Sequence, residues 1–180
     1  MNITLYGAAS ERIDHEYVRK VEELGSAIAK RGHTMVFGAG STGLMGAAAR
    51  GMHKANGHII GVTPHFMHEL EPISDLCTEI IATETMAERK TIMEDKADAF
   101  VICPGGLGTL DEFFQILTLK ILGRHNKPIV LYNINGFWDN MLSVIGTDIL
   151  KGFISADVVE DFAICETPES LFEKIEPKKA

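Results

Sequence analysis

The stretch 99–112, AFVICPGGLGTLDE, constrains the fold more than any other part of the chain. Residues 99–103 are apolar at every position, so a strand there buries both faces and belongs inside a sheet covered on both sides. Pro104 breaks the strand, Gly105, Gly106 and Gly108 follow, and a helix is expected to open at Thr109. That is the layout of an anion-binding turn. Glycines let backbone N–H groups approach a phosphate, and the unpaired donors and dipole of a helix start favour negative charge. A phosphorylated ligand is the first inference.

The rest of the chain repeats the strand-then-helix theme. Strands are expected at 3–6, 34–37, 58–62, 78–82, 129–132 and 162–165, and helices at 44–55, 86–96, 137–150 and 168–175. Tyr17, Val21, Leu24 and Ile28 form one helical stripe, stopped by Lys30, Arg31 and Gly32. Leu110, Phe113, Phe114, Leu117 and Ile121 form another, stopped by Gly123. Such alternation predicts an α/β fold, a doubly wound parallel sheet with helices on both faces. No repeat or linker divides the chain, so residues 1–180 are expected to form a single domain.

Composition narrows the function. With 180 residues, 46% hydrophobic, the chain can bury one core of ordinary size. A formal charge of -8 argues against a nonspecific nucleic-acid binder, which needs a basic field. The N-terminal residues lack the basic and apolar regions of a signal peptide, and no apolar run approaches the ~20 residues that span a bilayer. A cytoplasmic protein with no membrane or nucleic-acid partner is expected. Cys77, Cys103 and Cys165 are odd in number and lack CxxC spacing, which points to buried free thiols rather than disulfides or zinc. Cys103 ends the strand before the glycine turn; a nucleophile could stand there, and so could a small core residue. His65 and His68 have metal-compatible spacing but no evident third ligand, so no metal is expected.

Residues 38–43 spell a literal GxGxxG, Gly38-Ala39-Gly40-Ser41-Thr42-Gly43, between a strand and a helix. A dinucleotide site also needs an acidic residue ~20 positions on, to hold the ribose hydroxyls. None stands between Leu44 and His68. The glycines therefore serve either tight strand-to-helix packing or a ligand of another kind. Neither turn is followed by the Gly-Lys-Ser/Thr of a P-loop. His53-Lys54 alone does not support a pyridoxal-phosphate enzyme.

Two charged residues stand out. Arg89 shares a helical stripe with Met86 and Met93 and has no acidic partner at i±3 or i±4, which suits an inward arginine that needs an anion. Glu112 lies three residues after Thr109, so it fits a capping box and fits catalysis equally well.

These residues carry a family resemblance. MxxRK at 86–90 and PGGxGTxxE at 104–112, supported by GLMG at 43–46, GVTP at 61–64, LGxHxKP at 122–128 and GF at 136–137, resemble the Lonely Guy (LOG) family. These are cytokinin riboside 5'-monophosphate phosphoribohydrolases, often labelled lysine decarboxylases. The resemblance implies a Rossmann-like fold, a homodimer with active sites near the subunit interface, and no cofactor. It implies Arg89 and Glu112 as the catalytic pair and Gly106, Gly108 and Thr109 on the 5'-phosphate. Gly105, Leu107, Leu110 and Asp111 complete the substrate-binding turn, and Glu71, Lys90 and Thr118 are further substrate contacts. Phe113, Phe114 and Trp138 are interface candidates. Three departures stand out: Ala39 within the usual glycine triplet, Gly7-Ala8-Ala9-Ser10 for cysteine-glycine-serine-serine, and Asp111 for the first acid of a Glu-Glu pair.

The expected function is hydrolysis of the N-glycosidic bond of an adenosine 5'-monophosphate, N6-modified or plain, to base and ribose 5-phosphate. An AMP nucleosidase of purine salvage is one alternative. A non-catalytic nucleotide-sensing module is another, because the same fold hosts both.

Overall fold

The computed structural model describes residues 1–69 and 72–176. Seven strands form one parallel sheet: β1 (Asn2–Tyr6), β2 (Thr34–Phe37), β3 (Ile59–Pro64), β4 (Glu79–Thr83), β5 (Ala99–Ile102), β6 (Ile129–Tyr132) and β7 (Ala163–Cys165). Their order is β4-β3-β2-β1-β5-β6-β7. Six helices connect or follow them: α1 (His15–Lys30), α2 (Gly43–Lys54), α3 (Met86–Lys96), α4 (Leu107–Ile121), α5 (Asp139–Leu150) and α6 (Pro168–Ile175). Among the described residues, no helix is long and apolar enough to cross a membrane.

The period-2 alternation of the strands divides the core in two. Ile3, Leu5, Val101 and Cys103 face a cluster built with Val21, Leu24 and Ile28 of α1, Ala47 and Ala48 of α2, and Leu171 and Phe172 of α6. Tyr6, Phe100 and Ile102 face the other side, against Met93 of α3, Phe113, Ile116 and Leu117 of α4, and Ile145 of α5. The apolar strands are thus covered on both faces, as their composition demands. Phe113 and Trp138 belong to this second core, 0% and 2% exposed. They are therefore not interface residues. Filling the space over β5 and β6 decides their place.

The chain winds outward from β1 to β4, then returns through α3 to place β5 on the other side of β1. The loops after β1 and β5 consequently diverge to opposite faces, toward α1 and α4. A crevice opens between them at the carboxyl ends of the strands, where ligands bind in open α/β sheets. The crevice is braced: the Ala8 N–H donates to the Pro104 carbonyl at 3.1 Å, and the Leu44 N–H donates to the Ala8 carbonyl at 2.8 Å.

Candidate active site

The helix after the glycine turn starts earlier than its sequence suggests. α4 opens at Leu107, with Gly106 as its N-cap in an extended conformation. Thr109 is therefore the third helical residue, and the expected Thr109–Glu112 capping box does not form. The reason is local: Gly106, with no side chain, takes the cap position three residues before Thr109. The first intrahelical bond runs from the Leu110 N–H to the Gly106 carbonyl at 3.0 Å, and no side chain caps the donors before it. The N–H groups of Leu107, Gly108 and Thr109 thus stand at an uncapped, dipole-positive helix start.

Glu112 lies one turn further on, and its carboxyl meets Arg89 coming from α3. Arg89 Nη1 is 3.9 Å from Glu112 Oε1, with the two side chains 11% and 12% exposed. That distance is an ion pair without a hydrogen bond. The attraction therefore does not offset the loss of water, and burial pushes the Glu112 carboxyl up to about 7, with Arg89 and Lys90 opposing the shift. Arg89 itself is held by its Nε, which donates to the Val62 carbonyl at 3.1 Å, and by Met86 Sδ, 3.9 Å from Nη1. α3 delivers this arginine because Thr85 caps the helix start, its hydroxyl accepting from the Glu88 N–H.

The crevice is a cavity of about 330 Å³ bordered by Arg89, Glu112, Gly106, Gly108 and Thr109, with the 7–10 loop, Gly38 and Met45 closing its other walls. A second cavity of about 330 Å³ shares Ala8 and Gly106 with it but is walled by Ile13, Tyr17, Leu44, Pro104 and Phe137. It lacks Arg89 and Glu112. The arginine–carboxylate pair borders only the first of these two.

The remaining expected site residues fall in several places. Gly105 lies under Thr109, whose Oγ1 would be 2.1 Å from a Cβ at that position, and it borders the apolar cavity. Leu107 and Leu110 can offer only backbone groups, and the Leu107 side chain is 86% exposed. Lys90 Nζ donates to Asp111 Oδ2 and, at 3.1 Å, to Gln115 Oε1; Gln115 in turn donates to Glu94. Lys90 and Asp111 are thereby tied to each other between α3 and α4, outside the cavity wall. Thr118 is exposed on α4, six residues beyond Glu112 and on another side of the helix. Glu71 lies outside the described residues. Cys103 is fully buried and its thiol is pushed far up by burial, so it is a core residue rather than a nucleophile.

Other residues of the site carried weak signals or none. Tyr6 ends β1 fully buried, its phenol pushed well up by burial and then by the Glu112 and Glu94 carboxylates, with Arg89 opposing. A tyrosine in an apolar strand reads as core. Gly38 reaches the cavity from the GxGxxG segment and Met45 from the first turn of α2. Gly43, which ends that segment, has φ +57, and a Cβ there would stand 2.5 Å from the Ala8 carbonyl oxygen. Gly43 thus serves the close approach of the 7–10 loop.

Fold and site together define an α/β protein whose switch-point crevice joins an uncapped helix start to a largely buried arginine–carboxylate pair. The chain belongs to the Lonely Guy family: the family model described as "Possible lysine decarboxylase" matches residues 45–175. Cytokinin riboside 5'-monophosphate phosphoribohydrolase LOG of Oryza sativa subsp. japonica is 36% identical over 174 residues, spanning 97% of this chain and 72% of that protein. Cytokinin riboside 5'-monophosphate phosphoribohydrolase of Mycobacterium tuberculosis is 38% identical over 164 residues, 91% of this chain and 87% of that one. Among solved structures, the molybdenum cofactor carrier protein of Chlamydomonas reinhardtii superposes with a TM-score of 0.71 at 22% identity. The match covers 96% of this chain and 93% of that one, and it is a likeness of fold alone.

Proposed function

We propose that this chain hydrolyses the N-glycosidic bond of an adenosine 5'-monophosphate, N6-modified or plain, releasing the base and ribose 5-phosphate. The observation that carries the reading is the largely buried Arg89–Glu112 pair beside the uncapped start of α4. The phosphate sits on the N–H groups of Gly108 and Thr109 and their neighbours, where the helix dipole favours it. That anchors the ribose next to Glu112.

As the bond from C1' to the base breaks, its electron pair leaves with the base and positive charge grows on the ribose. An ionised Glu112 stabilises that charge more in the transition state than in the ground state. It also takes a proton from the water whose oxygen bonds to C1'. The base acquires a proton on departure, so one water is divided between the two products. Arg89 remains protonated throughout and acts as a hydrogen-bond donor to phosphate, ribose or leaving base rather than as an acid.

Two features point to a second copy of the chain. Leu107, Phe114, Ile121 and Leu122 form an exposed apolar stripe on α4, with Leu122 65% exposed. Thr118 stands within it. A homodimer that covers the stripe buries these side chains and lets Thr118 meet substrate across the interface, which its position in its own chain does not allow.

The test is incubation with AMP and with isopentenyladenosine monophosphate, followed by chromatography for free base. Turnover by the unaltered chain and a loss of at least about a hundredfold in Glu112→Gln are expected, a hundredfold being about 3 kcal/mol of transition-state stabilisation. Binding without release of base would replace this reading with a nucleotide-sensing module. Near-normal turnover by Glu112→Gln would overturn the role given to the carboxylate.

A further inference from the structure

Gly38, the first glycine of the GxGxxG segment, ends the β2 connection directly beneath Arg89. A Cβ built on it would lie 1.8 Å from Arg89 Nη2, 3.0 Å from Arg89 Cζ and 3.1 Å from Met45 Cε. The guanidinium thus occupies the space a side chain would fill. Its backbone is not in the left-handed region that favours glycine, so conformation does not require glycine here. What requires it is the arginine.

We infer that Gly38 is a positioning residue for the hydrolysis: its bare α-carbon seats the Arg89 guanidinium and so sets where that group meets substrate. This rests on the function proposed above. Two of the three guanidinium nitrogens are accounted for. Nε is held by the Val62 carbonyl, and Nη1 lies between Met86 Sδ and Glu112 Oε1. Nη2 lies over Gly38 and makes no hydrogen bond to any described residue, while Gly38, Arg89 and Glu112 border the same cavity. The seat therefore leaves one arm of the guanidinium fork free for substrate. The first glycine of the motif is here the floor of an arginine site.

The neighbouring turn keeps the seat in place. The Ser74 N–H donates to the Ala39 carbonyl at 2.8 Å, the Ser41 N–H to the Pro72 carbonyl at 3.1 Å, and Gly40 bridges Ile73. The atoms nearest a Gly38→Ala methyl are the far ends of two flexible side chains, so the fold accommodates it by moving Arg89 and Met45. The guanidinium must shift by about 1 Å or more, and a displacement of that size in a reacting site costs about a hundredfold.

The experiment is a double-mutant cycle of Gly38→Ala with Arg89→Ala, read in kcat and KM for AMP, with thermal melts to establish folding. Expected is a fall in kcat of about a hundredfold in Gly38→Ala with KM changed less than about threefold, and less than a twofold further effect of Gly38→Ala once Arg89 is gone. Unchanged kcat in Gly38→Ala, or an equal loss with and without Arg89, would overturn the inference. The same cycle is run for AMP affinity by calorimetry in a Glu112→Gln background. If the unaltered chain releases no base, the hydrolase reading fails on its own. The affinity cycle then decides Gly38: coupling to Arg89 supports the seat, and additivity removes it.

Discussion

Replacing Glu112 with glutamine separates two consequences of burying a carboxyl, and stability as a function of pH measures one of them. Burial raises the carboxyl from 4.5 to about 7, a shift that at about 1.4 kcal/mol per unit makes the ionised form cost the folded state about 3 kcal/mol. The sign follows from proton uptake. The folded state binds this proton more tightly than the unfolded chain, so its contribution is intact below about pH 4.5 and is lost as pH rises through about 7. At pH 5 the folded carboxyl is still protonated and about 1 kcal/mol has been lost; at pH 8 nearly the whole cost is present.

Glutamine does not titrate. The stability of Glu112→Gln relative to the unaltered chain should therefore improve by about 2 kcal/mol between pH 5 and pH 8. That corresponds to about 4–8 °C in Tm for a chain of this length. Urea or thermal unfolding of both proteins at the two pH values gives the difference, in which all other titrating groups cancel. A difference that stays flat with pH would mean that the carboxyl is not desolvated. A variant that loses ground at pH 8 would mean that the Arg89 attraction outweighs burial, and the electrostatic account of the site would be refuted.

Three further expectations follow from the same geometry. Ribose 5-phosphate and AMP should raise the Tm while adenosine does so poorly, and Gly106→Val, where a Cβ meets nothing within 4 Å, should fold normally yet lose that protection by crowding the uncapped donors; equal protection by nucleoside and nucleotide would remove the phosphate cradle. Light scattering should give twice the 19.7 kDa chain mass, and Phe114→Glu with Ile121→Glu should give the monomer; a monomeric unaltered chain at micromolar concentration counts against the α4 interface. The rate should rise with pH through about 7 as Glu112 ionises, and a flat profile between pH 5 and pH 8 would separate that ionisation from the chemistry.

How much of this was legible in the sequence depends on the range of the forces involved. The apolar strands, the helical stripes and the Pro-Gly-Gly turn act over a few residues, and from them the doubly wound sheet, its two covered faces and a helix start just after the glycine turn could be read directly. The inward character of Arg89 was legible too, because a helix without an acidic neighbour leaves its arginine unsatisfied. Other features were ambiguous at short range. Thr109 and Glu112 satisfy the capping-box spacing, yet the backbone of Gly106 starts the helix earlier and frees the carboxylate. Phe113 and Phe114 are adjacent, and only packing over β5 and β6 buries the first and exposes the second.

The site itself was a tertiary decision. Arg89 and Glu112 are separated by a whole strand and turn, and the return from β4 to β5 beside β1 brings them within 3.9 Å. The raised carboxyl follows from that burial and cannot be read from a glutamate's neighbours in the chain. The same holds for Gly38: its sequence left the glycine motif between strand-to-helix packing and a ligand role, and what lies over this glycine is a guanidinium delivered from a helix about fifty residues away. Local patterns determine elements because hydrogen bonding and side-chain periodicity are short-ranged, whereas desolvation and steric exclusion depend on which elements the topology packs together.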